Sequence, residues 1–227
     1  MNAFLDYFRD PAAVSSYAEG PPRFTRGFAD MQKMTAILLA ERADAESTIL
    51  VLGAGGGLEL AAFAVLQPHW RFVAVDPSAP MLDQARTLLG DAGTRVQLVE
   101  GLIDDAPEGP FAGACCLLTL HFLERAERLR TLVEIRQRLE PGAAFVAAHT
   151  SFPQGAGERE TWLDRYAAFA VAQGAPPELA AGAREAVAAN LPVLDPAADE
   201  AVLREAGFTG VTQFYSAFTW RGWVGYA

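Results

Sequence analysis

Clusters of basic residues are missing from this chain. Its 227 residues include 18 Lys and Arg against 28 Asp and Glu, which gives a formal net charge of −10. No run of five or more Lys and Arg occurs, so the positive surface that binds nucleic-acid phosphates is absent. The charge balance argues against a nucleic-acid partner and favours a small-molecule substrate.

Long apolar segments are also missing. No apolar run reaches the roughly 18 residues that a membrane-spanning helix needs. The opening sequence MNAFLDYFRD places Asp6, Arg9 and Asp10 where a signal peptide would have its apolar core. We therefore expect a cytoplasmic protein that does not contact a membrane.

Cysteine is nearly absent, and both copies are neighbours. Cys115 and Cys116 lie in an apolar segment, where adjacent side chains of a strand point to opposite faces and cannot easily form a disulfide. We interpret both as core residues and predict no metal site.

The chain does contain a regular alternation of apolar strands and helical segments. Helices are predicted at 26–43, 58–67, 79–90, 124–139 and 196–206, and strands at 48–53, 71–76, 95–100, 113–118, 143–149, 210–216 and 217–226. Such alternation indicates a parallel sheet covered on both faces. The predicted fold is α/β and Rossmann-like, with a seven-stranded, mostly parallel sheet that ends in an antiparallel strand pair.

We expect one domain over residues 1–227, with two helical additions. Residues 1–45 form an N-terminal helical cap, and residues 151–195 are alanine-rich and broken at 174–177. This second segment is predicted to be an insertion of two helices that acts as a lid. Its apolar stripe, which includes Leu163 and Phe169, must be covered by the domain or by another protomer, so a homodimer is also expected.

The stretch TILVLGAGGGLEL, residues 48–60, runs from a strand through a glycine turn into a helix. Gly53, Gly55 and Gly57 follow the pattern G-x-G-x-G, whereas a dinucleotide fingerprint requires its third glycine where this chain has Leu58. Glu59 in the first helical turn would repel a pyrophosphate. Both features favour S-adenosylmethionine, which carries no phosphate and whose positive groups tolerate a nearby acid.

Asp76 ends the second predicted strand, RFVAVD. A carboxylate at this place in a βαβ unit accepts hydrogen bonds from a ribose diol. The glycine turn or the aspartate alone is weak evidence, but together they predict a nucleoside-containing cofactor.

These motifs resemble those of the class I S-adenosylmethionine-dependent methyltransferases. VLGAGGG is similar to their first motif, VDPSAPML to their second and LEPGAAFV to the start of their fifth strand, over residues 48–150. The resemblance implies S-adenosylmethionine as cofactor. The implied cofactor-binding residues are Gly53, Ala54, Gly55, Gly57, Asp76, Pro77, Met81, Leu102, Ile103 and Leu118.

A narrower resemblance is to the bacterial carboxy-S-adenosylmethionine synthases of the tRNA-wobble pathway. It is carried by MTAILLAER, LTLHFLERAERLRTLVEIRQRLEPGAAFV and LREAGFTGVTQFYSAF. The arginine that meets the extra carboxylate in that family corresponds here to Glu185, next to Arg184. Leu102 replaces its adenine-binding aspartate, so adenine must rely on the amides of Leu102 and Ile103, or on Asp104.

Methyl transfer is an in-line displacement, in which alignment of the acceptor supplies much of the acceleration and a base is needed only for some acceptors. Ligands of open parallel sheets lie beyond the carboxyl ends of the strands. His69 precedes a strand, whereas His121 follows the fourth strand and His149 ends the fifth. We therefore predict His121 and His149 as catalytic candidates, with a structural role as the alternative for each.

Aromatic and basic residues outside the sheet are candidates for the substrate pocket. The predicted pocket residues are Tyr17, Arg26, Trp162 and Tyr166, while most aromatic residues of the last hairpin are interpreted as core.

Three functions remain open on the sequence. The first is an S-adenosylmethionine-dependent methyltransferase acting on a small molecule. The second is an enzyme that modifies the cofactor itself, as the carboxy-S-adenosylmethionine synthases do. The third is a non-catalytic cofactor-binding protein.

Overall fold

The computed structural model describes residues 8, 10, 14 and 20–227, and a seven-stranded sheet forms its centre. The strands are β1 (Thr48–Leu52), β2 (Arg71–Asp76), β3 (Val96–Glu100), β4 (Phe111–Leu117), β5 (Leu139–Thr150), β6 (Thr209–Ala217) and β7 (Trp220–Tyr226). Their order is β3-β2-β1-β4-β5-β7-β6. The pairs β5–β7 and β7–β6 are antiparallel, and the other neighbouring strands are parallel. The predicted fold class is confirmed.

Helices connect and cover these strands. They are α1 (Gly20–Phe24), α2 (Phe28–Ala40), α3 (Leu58–Leu66), α4 (Ala79–Leu89), α5 (Arg125–Gln137), α6 (Glu158–Ala172), α7 (Pro177–Asn190) and α8 (Pro196–Glu205). None of the helices in the described part of the chain is long and apolar enough to cross a membrane.

The sheet is buried on both faces because its strands are apolar at consecutive positions. In β1, Ile49 and Val51 pack into one hydrophobic cluster, while Leu50 and Leu52 pack into the other. Cys115 and Cys116 divide in the same way, and both are buried free thiols. Burial raises the pKa of both thiols, which agrees with their interpretation as core residues.

The strand order reverses beside β1, which lies between β2 and β4. The chain leaves β1 toward one side of the sheet and later enters β4 on the other, so the loops after β1, β2 and β4 leave a crevice between them. The fold therefore places the predicted glycine turn, Asp76 and His121 around one crevice.

The segment between β5 and α8 contains two helices, α6 and α7, that pack on each other. Gly174, with φ of 90°, ends the first helix, and Pro177 begins the second. Leu163 of α6 packs with Val187 and Leu191 in a small cluster of its own. The apolar stripe of α6 is therefore covered from within the chain.

The last hairpin holds the junction between α1 and α2. Trp220 Nε1 donates a hydrogen bond of 2.7 Å to the carbonyl of Phe24, and the Tyr215 hydroxyl donates one to the carbonyl of Arg26. We call this pair of hydrogen bonds the hairpin latch. It joins the early helices to the far end of the sheet.

Candidate cofactor and acceptor cleft

The glycine turn after β1 is shaped by packing as well as by backbone conformation. Gly53, Gly55 and Gly57 have φ of 73°, 47° and 81°, a region that residues with a side chain rarely adopt. A Cβ at Gly53 would overlap the Thr119 side chain, and one at Gly57 would lie 2.9 Å from Ala85 Cβ in α4. Gly53 and Gly55 line the cleft, whereas Gly57 allows two helices to approach.

Asp76 lies at the carboxyl end of β2 and lines the same cleft. The backbone N–H groups of Gly55 and Ser78 each donate a hydrogen bond of 2.9 Å to one of its carboxylate oxygens. Each oxygen keeps acceptor capacity for a further hydrogen bond. Burial raises the pKa of Asp76, and these two hydrogen bonds partly offset the rise.

Glu59 lies behind the turn and does not line the cleft. Its side chain is buried, and burial raises its pKa to about 8, with a further contribution from the charge of Asp76. Glu59 is therefore mostly protonated at pH 7. This corrects the expectation that its negative charge disfavours a pyrophosphate; the position of Leu58 remains as the sequence argument for that conclusion.

The cleft extends from the glycine turn to a group of aromatic side chains. The described residues that line it are Phe8, Gly20, Pro21, Phe24, Thr25, Gly53, Gly55, Asp76, Pro77, Ser78, Met81, Leu118, Thr119, His121, Phe122, Tyr166 and Trp220. Asp76 supplies the only carboxylate of this set, and the set contains no Lys or Arg. The cleft is therefore polar at the Asp76 end and apolar at the other.

The expected adenine contacts follow β3, the strand beside β2, and the Gly101 amide donates a hydrogen bond of 3.1 Å to the Asp76 carbonyl. The Leu102 amide donates to Asp105 at 2.8 Å, and Ile103 is buried in the core. Asp104 forms an ion pair of 2.9 Å with Arg130, and this arginine lowers the pKa of the carboxyl group. None of the three is among the described lining residues, and their part in adenine binding stays a prediction.

The remaining predicted residues divide between the cleft and its surroundings. Ala54 is a core residue beside the glycine turn, and Trp162 stacks under the guanidinium of Arg165, with Arg165 Cζ 4.5 Å from the ring centroid. The Arg26 side chain is exposed, and its carbonyl takes part in the hairpin latch. These placements do not support pocket roles for Arg26 and Trp162; Tyr17 lies outside the described residues.

His121 lies in the short turn after β4 and is 4% exposed. Its Nδ1 accepts a hydrogen bond of 3.2 Å from the backbone N–H of Thr150. Burial, followed by the nearby His149 and Arg128, lowers the pKa of His121 well below its usual value. The ring is therefore neutral, and its single N–H group is at Nε2.

His149 ends up on the far side of His121, away from the cleft. It is 1% exposed, and its Nε2 lies 3.1 Å from Asp199 Oδ1, an oxygen that Arg128 also contacts. His149 is not among the described lining residues. The structure therefore does not support the catalytic role predicted for His149 and favours the structural alternative.

Sequence reasoning missed several residues at the apolar end. Phe24 stacks on Tyr166 with ring centroids 5.3 Å apart. Thr25 is 1% exposed, and its hydroxyl has no hydrogen-bond partner among the described residues. No local motif marks Phe24, Thr25 or Phe122, because α1, α6 and the loop after β4 come together only in the folded chain.

Comparison with known proteins agrees with this geometry. Residues 49–142 match a family model described as a methyltransferase domain. The matched segment contains the glycine turn, Asp76 and His121, which agrees with the resemblance to S-adenosylmethionine-dependent methyltransferases. Its residues fit the cofactor, since a buried carboxylate with free acceptor capacity faces a glycine-lined cleft that also contains Met81.

Full-length similarity is weaker than the domain match. A carboxy-S-adenosyl-L-methionine synthase of Salmonella paratyphi C is 26% identical over 218 residues, which cover 94% of this chain and 88% of the relative. A solved structure named PigF with SAH has a TM-score of 0.70 at 18% identity. The alignment covers 100% of this chain and 62% of the PigF chain. An O-methyltransferase family protein from Burkholderia thailandensis has a TM-score of 0.70 at 19% identity, and the alignment covers 97% of this chain and 61% of that protein. The chain thus spans about three fifths of both solved chains, whose likeness shows the fold.

Proposed function

We propose that this protein transfers the methyl group of S-adenosylmethionine to a small molecule. The observation that supports this most is the polarity of one continuous cleft, with Asp76 at one end and Phe24, Phe122, Tyr166 and Trp220 at the other. The polar end suits a ribose and the apolar end suits an organic acceptor.

The residues of the chain would bind the cofactor, align the acceptor with it and exclude water from the cleft. Asp76 accepts hydrogen bonds from the ribose hydroxyls, and its own position is fixed by the Gly55 and Ser78 amides. When bound, the cofactor supplies an electrophilic methyl group on a sulfonium. The aromatic walls hold the acceptor in line with that group, and such alignment accounts for much of the rate of a displacement.

The direct test measures transfer of a labelled methyl group from the cofactor to a panel of small organic acceptors. We expect incorporation into at least one apolar acceptor, with none into nucleic acid. Cofactor binding without transfer to any acceptor would instead favour a non-catalytic cofactor-binding protein.

The carboxy-S-adenosylmethionine synthase function is the second candidate, because the 26% identity extends over 94% of the chain. Against it, the described cleft lining has no basic residue. Arg184 pairs with Asp164 and Glu160, both at 2.7 Å, and Glu185 is exposed. The arginine that meets the extra carboxylate in the synthases therefore has no counterpart among the described lining residues.

Mass spectrometry of the ligand released from the purified protein separates these two candidates. We expect S-adenosylmethionine or its demethylated product. A species heavier by one carboxyl group would establish the synthase function and contradict our proposal.

Partners and location remain predictions. A homodimer is expected, although Leu163 and Ala170 of the α6 stripe are buried within the chain and do not need a partner to cover them. Sedimentation at micromolar concentration tests the dimer, and cell fractionation tests the cytoplasmic location.

A further inference from the structure

The proton on His121 limits the chemistry that this side chain can perform. The backbone N–H of Thr150 can only donate, so Nδ1 must offer its lone pair to it. The neutral ring then carries its proton on Nε2, and His121 lines the cleft. His121 therefore presents a donor and no free acceptor nitrogen.

Protonation of His121 would break this arrangement. An imidazolium would turn Nδ1–H toward the Thr150 N–H, so the hydrogen bond would become a donor–donor contact. The charged groups packed behind the ring are Arg128 from α5, Asp199 from α8 and His149 from β5, and Arg128 and His149 together with burial lower the pKa of His121. His121 is thus poorly suited to accept a proton from a substrate.

No other described lining residue supplies a base at the apolar end. Asp76 is held at the opposite end by the Gly55 and Ser78 amides. Burial raises the pKa of Tyr166, so its phenol stays protonated. The polar groups that remain beside the aromatic rings are hydrogen-bond donors or hydroxyls, including the unpaired hydroxyl of Thr25.

The apolar end of the cleft is lined by aromatic side chains that contact one another. Phe24 stacks on Tyr166, and His121 meets the ring of Trp220 edge-on with centroids 5.8 Å apart. Phe122 lies beside His121, at 4.4 Å between centroids. Aromatic walls of this kind favour an apolar planar ligand through stacked and edge-to-face contacts.

We propose that the acceptor is an acidic phenol or enol, which reacts as its oxygen anion, and that His121 Nε2–H holds this oxygen as a donor. This inference rests on the proposed methyl transfer. The acceptor loses its proton to water before it reacts. Its oxygen then uses a lone pair to form a C–O bond with the methyl carbon, while the C–S bond breaks and its electron pair returns to sulfur. The negative oxygen and positive sulfonium neutralise each other, which explains why the described lining needs no cation.

The test uses 4-nitrophenol, an acidic phenol whose anion has its own absorption band, on protein loaded with sinefungin, an unreactive analogue of S-adenosylmethionine that carries a protonated amine near the position of the sulfonium, so that no turnover occurs. We expect the bound dye to be the anion, with its apparent pKa below that of free dye. Nitrobenzene, which has the same ring without the oxygen, reports ring binding alone.

Variants of His121 separate a donor from a base. His121→Gln keeps a donor but provides no proton-accepting nitrogen, and we expect it to retain anion binding within about threefold. His121→Ala should lose about tenfold or more in affinity for 4-nitrophenolate, as expected for a hydrogen bond to a charged group. In His121→Ala the loss of affinity for 4-nitrophenolate should exceed the loss for nitrobenzene, because nitrobenzene loses only the ring contact with His121. His69→Ala is the matched control, since His69 is exposed and outside the cleft lining.

The outcomes identify which proposal fails. Binding of the neutral phenol in the wild type, or equal losses in the Gln and Ala variants, would overturn the donor assignment. Failure of both rings to bind a protein that binds S-adenosylmethionine would overturn the acceptor class and leave the methyltransferase proposal standing. Failure to bind S-adenosylmethionine in calorimetry without acceptor would refute the proposed function itself.

Discussion

The two ends of the cleft are built in different ways. The Asp76 end of the cleft, which we call the cofactor end, is formed by adjacent strands: β1 and β2 position Gly53, Gly55 and Asp76. The apolar end, which we call the acceptor end, is lined by Phe24, Tyr166 and Trp220, which belong to α1, α6 and β7. The first is fixed by backbone amides around a buried carboxylate, and the second by uncharged rings. Charge and glycine substitutions at the first end should therefore cause larger losses than the removal of a single contact at the second.

The largest expected effect is a change in the pH dependence of folding stability, and it comes from Glu59. Its pKa is about 8 in the folded protein against 4.5 as its ordinary value, so the folded state holds a proton that the unfolded state has released. Stability should fall as pH rises from 4.5 to 8, by roughly 1.4 kcal/mol per pH unit from this group. Glu59→Gln should remove that slope and be about 4 kcal/mol more stable than the wild type at pH 8, as judged by chemical denaturation at several pH values.

Glu178→Gln is the matched control for this measurement, because Glu178 also lies in the first turn of a helix but is exposed. It should leave the pH dependence unchanged. Parallel stability curves for the wild type and Glu59→Gln between pH 4.5 and 8 would show that Glu59 is ionised in the folded protein.

Gly55→Val should abolish cofactor binding, with a loss of at least about 100-fold, or roughly 3 kcal/mol. The substitution combines a positive φ of 47° with a side chain in the cleft. Gly90→Val shares the backbone strain, at φ of 49°, but a Cβ there meets no atom within 4 Å. It should lose stability and keep its affinity in calorimetry. Equal affinities in the two variants would mean that the glycine turn is only structural.

Asp76→Ala should weaken cofactor binding by about 1 to 3 kcal/mol, because ribose hydroxyls would lose a buried acceptor. It also leaves two backbone amides unpaired, so some stability should be lost. Asp195→Ala is the control: Asp195 accepts hydrogen bonds of 3.0 Å from the Ala197 and Ala198 amides at the start of α8. Both variants should be less stable in thermal unfolding, but only Asp76→Ala should change the calorimetric affinity.

The smallest expected effect is a loss of folding stability at the acceptor end. Tyr215→Phe removes only the hydroxyl of the hairpin latch and should cost about 0.5 to 1.5 kcal/mol in stability. Tyr226→Phe removes a hydroxyl that bonds Glu41 at the surface, at 3.2 Å, and should change the unfolding free energy by less. A larger loss in Tyr226→Phe would show that the latch contributes little.

The sequence predicts the sheet well because most strands are short apolar runs bounded by glycine, proline or charged residues. The prediction for β5 was less accurate: it was expected from residue 143, but the strand begins at Leu139, which pairs with Phe111 across an irregular register. Proline and glycine at positions 141 and 142 locally favour a break between helix and strand. Here pairing with β4 outweighs the local preference of these residues.

The cofactor end could be predicted for a similar reason. Its residues follow strands of known direction, so the switch in strand order fixes where they meet. The same rule placed both histidines at the correct edge of the sheet but could not tell their surroundings apart. Arg128 and Asp199 decide that His149 is structural, and they are distant from it in sequence.

The acceptor end could not be predicted because its side chains share no motif. Thr25 follows α1, and Trp220 belongs to a hairpin that was interpreted as mostly core. The hydrogen bond from the Leu102 amide to the Asp105 side chain likewise follows from no motif in the sequence. Such competition between partners is visible only in three dimensions.

The hairpin latch has a consequence for how the protein matures on the ribosome. Its acceptor carbonyls belong to Phe24 and Arg26, whereas its donors are Trp220 and Tyr215, and each pair is separated by at least 189 residues. Chains emerge from the ribosome with their early residues first. The early helices must therefore remain unlatched until the hairpin has been synthesised, so the acceptor end is completed only after Trp220 has left the ribosome.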